Sequence, residues 1–255
     1  MIKYLIIVLF SSCAYFKQVS HPEKKVVRSK SKAIHEYTLK DKAGTFSLKR
    51  EVGISKNDKD FVVKKIILSQ EDKTLPLEKT ITISKPGSLK GKINILRPQV
   101  SQYSVWFEKK KYFSEMKIMP KEKKLLIKLK SPFKKWNGNK EVLFPKGSGL
   151  YCFFSQVVEC AKFNNFISES TKRGLGEMNF HIIWEGYPYF HAQYDNLPSK
   201  VFSDARMSYE GKNAQGYRKY SLSFDNQTLF YLLDKQSNII GQYWVSQGYS
   251  LEKKL

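Results

Sequence analysis

The sequence predicts a mainly β protein, an antiparallel sheet or sheets forming a curved half-barrel or a sandwich, with one helix near residues 156–172. Three observations lead there. Runs in which apolar and polar residues alternate recur from Ile34 onward, with the period of two that marks a half-buried strand. β-branched and aromatic residues fill these runs, while Gly, Asn, Asp and Ser gather between them. Hydrophobic residues make up 41% and aromatics 14% of the 255 residues, enough for a core despite a net charge of +22. No repeat of fixed period is present, which argues against solenoids and propellers.

The chain opens "MIKYLIIVLFSSC". Its apolar run, Tyr4 to Phe10, is far shorter than the roughly 20 residues a membrane helix needs. Lys3, that run, and the small residues Ser11 and Ser12 stand in the order of a secretory signal. The "LFSSC" stretch resembles the lipobox of bacterial lipoproteins, departing from it at Phe10, where Leu is usual. That resemblance implies a signal peptide over 1–12, an acylated Cys13 (palmitate among its chains) as first mature residue, and anchoring in a bacterial envelope. Ala14 in place of Asp implies the outer membrane, facing the periplasm. The alternative is ordinary cleavage after Ala14.

Residues 13–33 are basic, polar and aperiodic, and read as a tether. "IHEYTLK" and "TFSLKREV" flank "DKAG", giving a hairpin over Ile34 to Val52 with Gly44 at the turn. The strands "FVVKKIILS", "KTITIS", "GKINIL", "QYSVWFE", "YFSEMKIM" and "KLLIKLK" follow. In the last, Leu125, Ile127 and Leu129 share one face and Lys128 and Lys130 the other. Pro, Gly and Asn cluster in "SPFKKWNGNKEVLFPKGSG", a possible boundary between a basic region, 34–140, and an aromatic-rich one, 141–255, although 34–255 as one domain stays open. From Cys13 to Lys140 there are 32 Lys and Arg against 12 Asp and Glu; beyond, 12 stand against 11. Aromatics run the other way, 12 before and 22 after.

Val157, Cys160, Ala161, Asn164 and Ile167 recur at helical spacing, with Gly174 as a stop. The strands "NFHIIWEG", "YPYFHAQYD", "KVFSDARMSYEG", "YRKYSLSFD", "TLFYLLD" and "NIIGQYWVSQGYSLEK" complete the chain. Cys152 and Cys160, eight apart, are close enough for a disulfide in an oxidising compartment; the alternative is two buried free thiols.

Catalytic signatures are lacking: no Gly-x-Ser-x-Gly elbow, His-Glu-x-x-His or phosphate loop occurs. His181 and His191 fall on two arms of an expected hairpin around Glu185 and Gly186, with Asp195 as the third group of any site. Two histidines among aromatics are more often structural than ligands, so no metal or cofactor is expected. The basic half, with Trp106, Phe107, Tyr112 and Phe113 interleaved, has the composition of a nucleic-acid binder. An exported protein instead meets anionic lipid headgroups or acidic glycans, and nucleic acid is not expected. Trp184, Tyr187, Tyr189, Tyr243 and Trp244 are the candidate lining of an apolar concave face, the alternative being core.

The strand order, the helix and the late "FYLLDKQSNIIGQYWV" hairpin resemble envelope lipid-carrier half-barrels of the LolA, LolB and RseB kind. The resemblance implies an acyl-chain cavity without catalysis. The expectation is a non-enzymatic, lipid-anchored envelope protein that binds or scaffolds, with an apolar or lipid-like ligand. The alternatives are an envelope-polymer hydrolase, or an adhesion or complex subunit.

Overall fold

The structure, a computed structural model, describes residues 29–254 apart from 56–58, 73, 90, 92 and 147–148, with the side chains of 29–32 also outside the description. Cys13, the signal stretch and the tether up to residue 28 lie outside the described residues. An antiparallel meander comprises β1 (Ser29–Asp41), β2 (Gly44–Ser55), β3 (Phe61–Ser69), β4 (Pro76–Leu89), β5 (Ile93–Phe107), β6 (Lys110–Met119), β7 (Lys124–Lys130) and β8 (Gly138–Leu143). A short β9 (Tyr151–Phe153) and two helices, α1 (Val157–Phe163) and α2 (Phe166–Arg173), follow. A second meander runs through β10 (Glu177–Ile183), β11 (Phe202–Lys212), β12 (Arg218–Phe224), β13 (Gln227–Leu233), β14 (Ile239–Trp244) and β15 (Tyr249–Lys253).

All 15 strands belong to one sheet, because β15 pairs antiparallel with β1, Tyr37 opposite Lys253 and Lys40 opposite Ser250. β9 differs from the rest in running parallel to its neighbour, β10. The sheet ends at β8 and β9. The predicted mainly β, antiparallel class is the class observed.

Local chemistry accounts for the elements. The first hairpin pairs Ile34 with Glu51 and Asp41 with Gly44, and Asp41 Oδ1 accepts from Ala43 N at 2.7 Å to close the turn. In β7 the expected alternation holds, with Leu125, Ile127 and Leu129 buried and Lys128 and Lys130 exposed. "GKINIL" and "QYSVWFE", expected as two strands, are one strand, β5. Pro98 lacks the N–H that a ladder uses, and it sits at a bulge: Ile83 pairs with Val100 but Ser84 with Pro98, leaving Gln99 as the extra residue. The predicted helix is present in two pieces. Asn165 adopts a left-handed φ of +63° that Asn tolerates, and Gly174 at +72° ends the second piece.

"YPYFHAQYD", expected as a strand, is instead a connection from Trp184 to Val201 with a 3-10 turn at His191–Gln193 and a cis Tyr187–Pro188 bond. β10 therefore pairs with β11, His181 opposite Asp204, rather than with the 187–195 segment. "SPFKKWNGNKEVLFPKGSG" contains the end strand β8.

The sheet curls around two insertions, Phe154–Arg173 and Trp184–Tyr194, and their apolar residues join those of the strands in one core. The inner face of β4 is polar: Glu78, Thr80, Thr82 and Ser84 are all buried, as are Ser101 and Ser114 on the next strands. Thr82, Ser84 and Ser114 meet polar groups of the insertions, Thr82 Oγ1 lying 3.2 Å from Ser155 Oγ. Ser84 Oγ donates to Gln156 Oε1 at 2.5 Å, and Ser114 Oγ to the Tyr187 carbonyl at 3.0 Å. Alternation in "KTITIS" thus places hydroxyls inside and leaves Ile81 and Ile83 half-buried outside.

Candidate functional site

The interior holds its charges in closed partnerships. Arg50 Nη2 donates to Glu159 Oε2 at 2.6 Å and to the Ser155 carbonyl at 2.9 Å, tying β2 to α1. Lys65 Nζ lies 2.5 Å from Glu78 Oε1, and Tyr103 Oη donates to Glu78 Oε2 at 2.9 Å. Glu185 accepts from the backbone N–H groups of Phe154 and Ser155 at 2.8 and 2.6 Å, while burial raises its pKa above the ordinary value. Cys152 and Cys160 are joined by a disulfide, Cα atoms 6.3 Å apart, which fastens α1 to β9. The Arg50 and Glu185 contacts hold the first insertion, and the Lys65–Glu78–Tyr103 contacts join β3, β4 and β5. This interior is scaffold.

The open chemistry lies where the sheet ends. Between β8 and β9 lies a crossing of which Phe144, Pro145, Lys146, Gly149 and Leu150 are described, and these line a groove of about 1030 Å³. Its floor is Ile95, Leu96, Ile118, Leu143, Phe144 and Ile183; Leu96 is fully buried and Leu143 is 73% exposed at the mouth. Lys85 and Arg97, directly opposite in the β4–β5 ladder, form part of the rim, and Lys123 and Lys146 come from the β6–β7 turn and the crossing. All four cations are exposed. Four prolines, Pro86, Pro98, Pro120 and Pro145, also line it and bring no N–H donor.

A second groove, of about 700 Å³, shares Ile95, Gly149 and Leu150 with the first. It is lined further by Leu89, Phe180, His181, Asp204 and Arg206. Gly149 is required there, since a Cβ would lie 2.5 Å from His181 Cδ2. Tyr151 stacks on the His181 ring at 4.8 Å and packs edge-on against Phe144 at 4.7 Å, so one aromatic stack separates the grooves.

The residues expected to line a binding face lie apart from both grooves. Trp184 is fully buried, its Nε1 donating to Ser203 Oγ at 2.7 Å. Trp244 is buried too, stacked on Tyr194 at 4.9 Å. Tyr189 donates to the Trp136 carbonyl at 2.7 Å from the core. Tyr187 and Tyr243 are half-buried; Tyr187 lies under Lys140, and Tyr243 Oη donates to Glu252 Oε1 at 3.4 Å. The large rings fill the volume inside the curl.

His181, His191 and Asp195 each have different surroundings. His181 Nδ1 lies 2.7 Å from Asp204 Oδ1, off the line a ring hydrogen bond needs. His191 is buried against Trp184 and Tyr187, and burial pushes its pKa down to about 4. Asp195 is exposed and pairs with Lys42 at 2.5 Å. No group of three or more His, Cys, Asp or Glu able to hold a metal occurs among the described residues. Of the rings interleaved with the basic half, Tyr112 packs on Phe107 and Tyr189, and Lys111 covers Trp106 and Phe113.

Sequence reasoning missed the groove because its wall comes from five separated segments. One signal was present: the dipeptides Lys85-Pro86, Arg97-Pro98 and Pro145-Lys146 each put a cation beside a proline, and all three converge on the rim.

No protein-family model matches the chain, and no curated protein does. Among solved structures, the chain is similar to a beta-barrel-like protein of domain of unknown function DUF1849 from Brucella abortus, at 9% identity and TM-score 0.46, over 88% of this chain and 94% of that one.

Proposed function

We propose that this chain is a non-enzymatic, lipid-anchored envelope protein that binds an apolar, lipid-like ligand in the groove beside the 144–150 crossing. The observation that carries the reading is the groove itself, whose about 1030 Å³ and apolar floor reaching from exposed Leu143 to buried Leu96 suit a hydrocarbon chain. Support for binding without catalysis comes from the separate surroundings of His181, His191 and Asp195, which leave no nucleophile, acid and base converging there. The strand order that resembles LolA, LolB and RseB half-barrels agrees with this reading. Anchoring through Cys13 at the outer membrane, facing the periplasm, rests on the "LFSSC" stretch.

Titration with a neutral naphthylamine probe, whose fluorescence rises in apolar surroundings, tests the binding. Wild-type protein is expected to bind saturably, and Leu143→Asp to weaken binding about tenfold, since a carboxylate at the mouth must be desolvated beside the ligand. Leu143 is exposed, so the fold tolerates the change. Unaltered probe binding by Leu143→Asp would remove the groove as the site. Intact mass of the membrane-extracted protein checks the anchor: acyl groups on a chain starting at Cys13 are expected, and are lost in Cys13→Ser.

A further inference from the structure

We propose that the groove selects amphiphiles with an anionic headgroup, held by Lys85, Arg97, Lys123 and Lys146 at its rim, with the acyl chain laid on the floor. This deepens the lipid-binding reading and rests on it. The groove is lined by four cations and no carboxylate. Three cations elsewhere have carboxylate partners, Lys65 with Glu78, Lys124 with Glu141 and Lys200 with Asp225, at 2.5, 3.1 and 2.5 Å, whereas many exposed lysines such as Lys128 and Lys130 stand without one among the described residues, so lack of a partner alone does not mark a site. At the lip, none of the four has a carboxylate partner among the described residues.

Geometry separates this cluster from the general basic excess of the chain. Lys85 and Arg97 are directly opposed across an antiparallel ladder, a placement that like charges disfavour unless an anion lies between them. The Arg97 guanidinium is pinned rather than loose. Its Nη2 donates to the Ser88 carbonyl at 2.6 Å, and it lies so close over Gly87 that a Cβ there would be 2.9 Å from Nε. A guanidinium has five N–H donors, so donors remain for a carboxylate or phosphate. Lys123 and Lys146 come from separate segments, Lys123 from the β6–β7 turn, where its backbone φ is +49°. A headgroup at the rim would meet cations from three separate segments while its chain enters the apolar floor. A free anion would gain only the first.

The test is displacement of the neutral naphthylamine probe from the full chain by amphiphiles with one common acyl chain, below their micelle thresholds. The set is a fatty acid, a lysophosphatidate, the uncharged monoglyceride and a quaternary ammonium, with inorganic phosphate and acetate as headgroups alone. Both anionic lipids are expected to displace the probe at a concentration about thirtyfold or more below that of the monoglyceride, because each neighbouring Lys or Arg adds a little over a factor of five and at least two would meet the headgroup. Arg97→Gln with Lys123→Gln should cut that advantage by about thirtyfold relative to any change in the monoglyceride, and raised salt should shrink it in the wild type. A stronger effect of the lysophosphatidate than of the fatty acid identifies phosphate as the preferred headgroup; the reverse identifies carboxylate. Displacement by the monoglyceride equal to that by the anions overturns charge selection and leaves lipid binding standing. Failure of every lipid to displace the probe overturns both, and displacement by phosphate or acetate alone overturns the acyl chain's part.

Discussion

His191 is the residue whose environment departs furthest from what its chemistry prefers. It lies against Trp184, Tyr187 and Phe190, with both ring nitrogens lacking a hydrogen-bond partner among the described residues. Burial disfavours the imidazolium, and the pKa falls from 6.5 to about 4. Between those values the unfolded chain binds a proton that the folded chain refuses. Its contribution is therefore complete above pH 6.5 and is lost as pH falls toward 4, amounting to about 3 kcal/mol. Glu185 acts in the opposite sense, because its pKa is raised on folding. Comparison with His191→Leu isolates the histidine: urea midpoints measured across this range should fall with acid more steeply in the wild type, and parallel curves would refute the assignment. The sequence marked His191 as a possible site residue, and nothing local in it distinguishes a ligand from a ring that fills space. Only the contact with Trp184 does so.

At the scale of elements, the disulfide is the one link the sequence made legible through spacing alone. Cys152 and Cys160 stand at a separation of 8, one in β9 and one in α1. Replacing both with Ser should destabilise the chain by about 2.5 kcal/mol on the chain-entropy estimate, read as a lower urea midpoint. An unchanged midpoint would show that Arg50 and Glu159 hold α1 unaided. Strands such as Phe61–Ser69 and Lys124–Lys130 coincide with their alternating runs, because one face is buried and the other wet. Legibility failed where that asymmetry fails. In Trp184 to Tyr194 the rings are so dense that the segment reads as a strand, yet it folds inward and buries rings on several sides. In β5 the proline that signals a break is absorbed by a bulge. On β4 nothing local assigns the hydroxyl face to the interior, because the polar insertion it meets lies more than 70 residues away in sequence, as in the Ser84–Gln156 bond.

For the whole molecule, the mainly β class was legible and the closure was not. The pairing of β1 with β15 depends on a register between distant segments that no local pattern announces. The basic excess before Lys140 and the aromatic excess after it belong to one continuous sheet, with the rings of the second half filling the curl. A chain truncated after Asp234 lacks β14 and β15, the strands that connect the two meanders. Such a chain is expected to lose cooperative unfolding in urea, and a retained transition of equal steepness would mean that one meander folds without the other. The seam also orders events in time. Tyr37 Oη donates to the Ile239 carbonyl across 202 residues, and the flank of β1 facing β15 has no strand partner until β15 is present. Full resistance to protease is therefore expected only once β15 has docked on β1, wherever in the cell the chain folds.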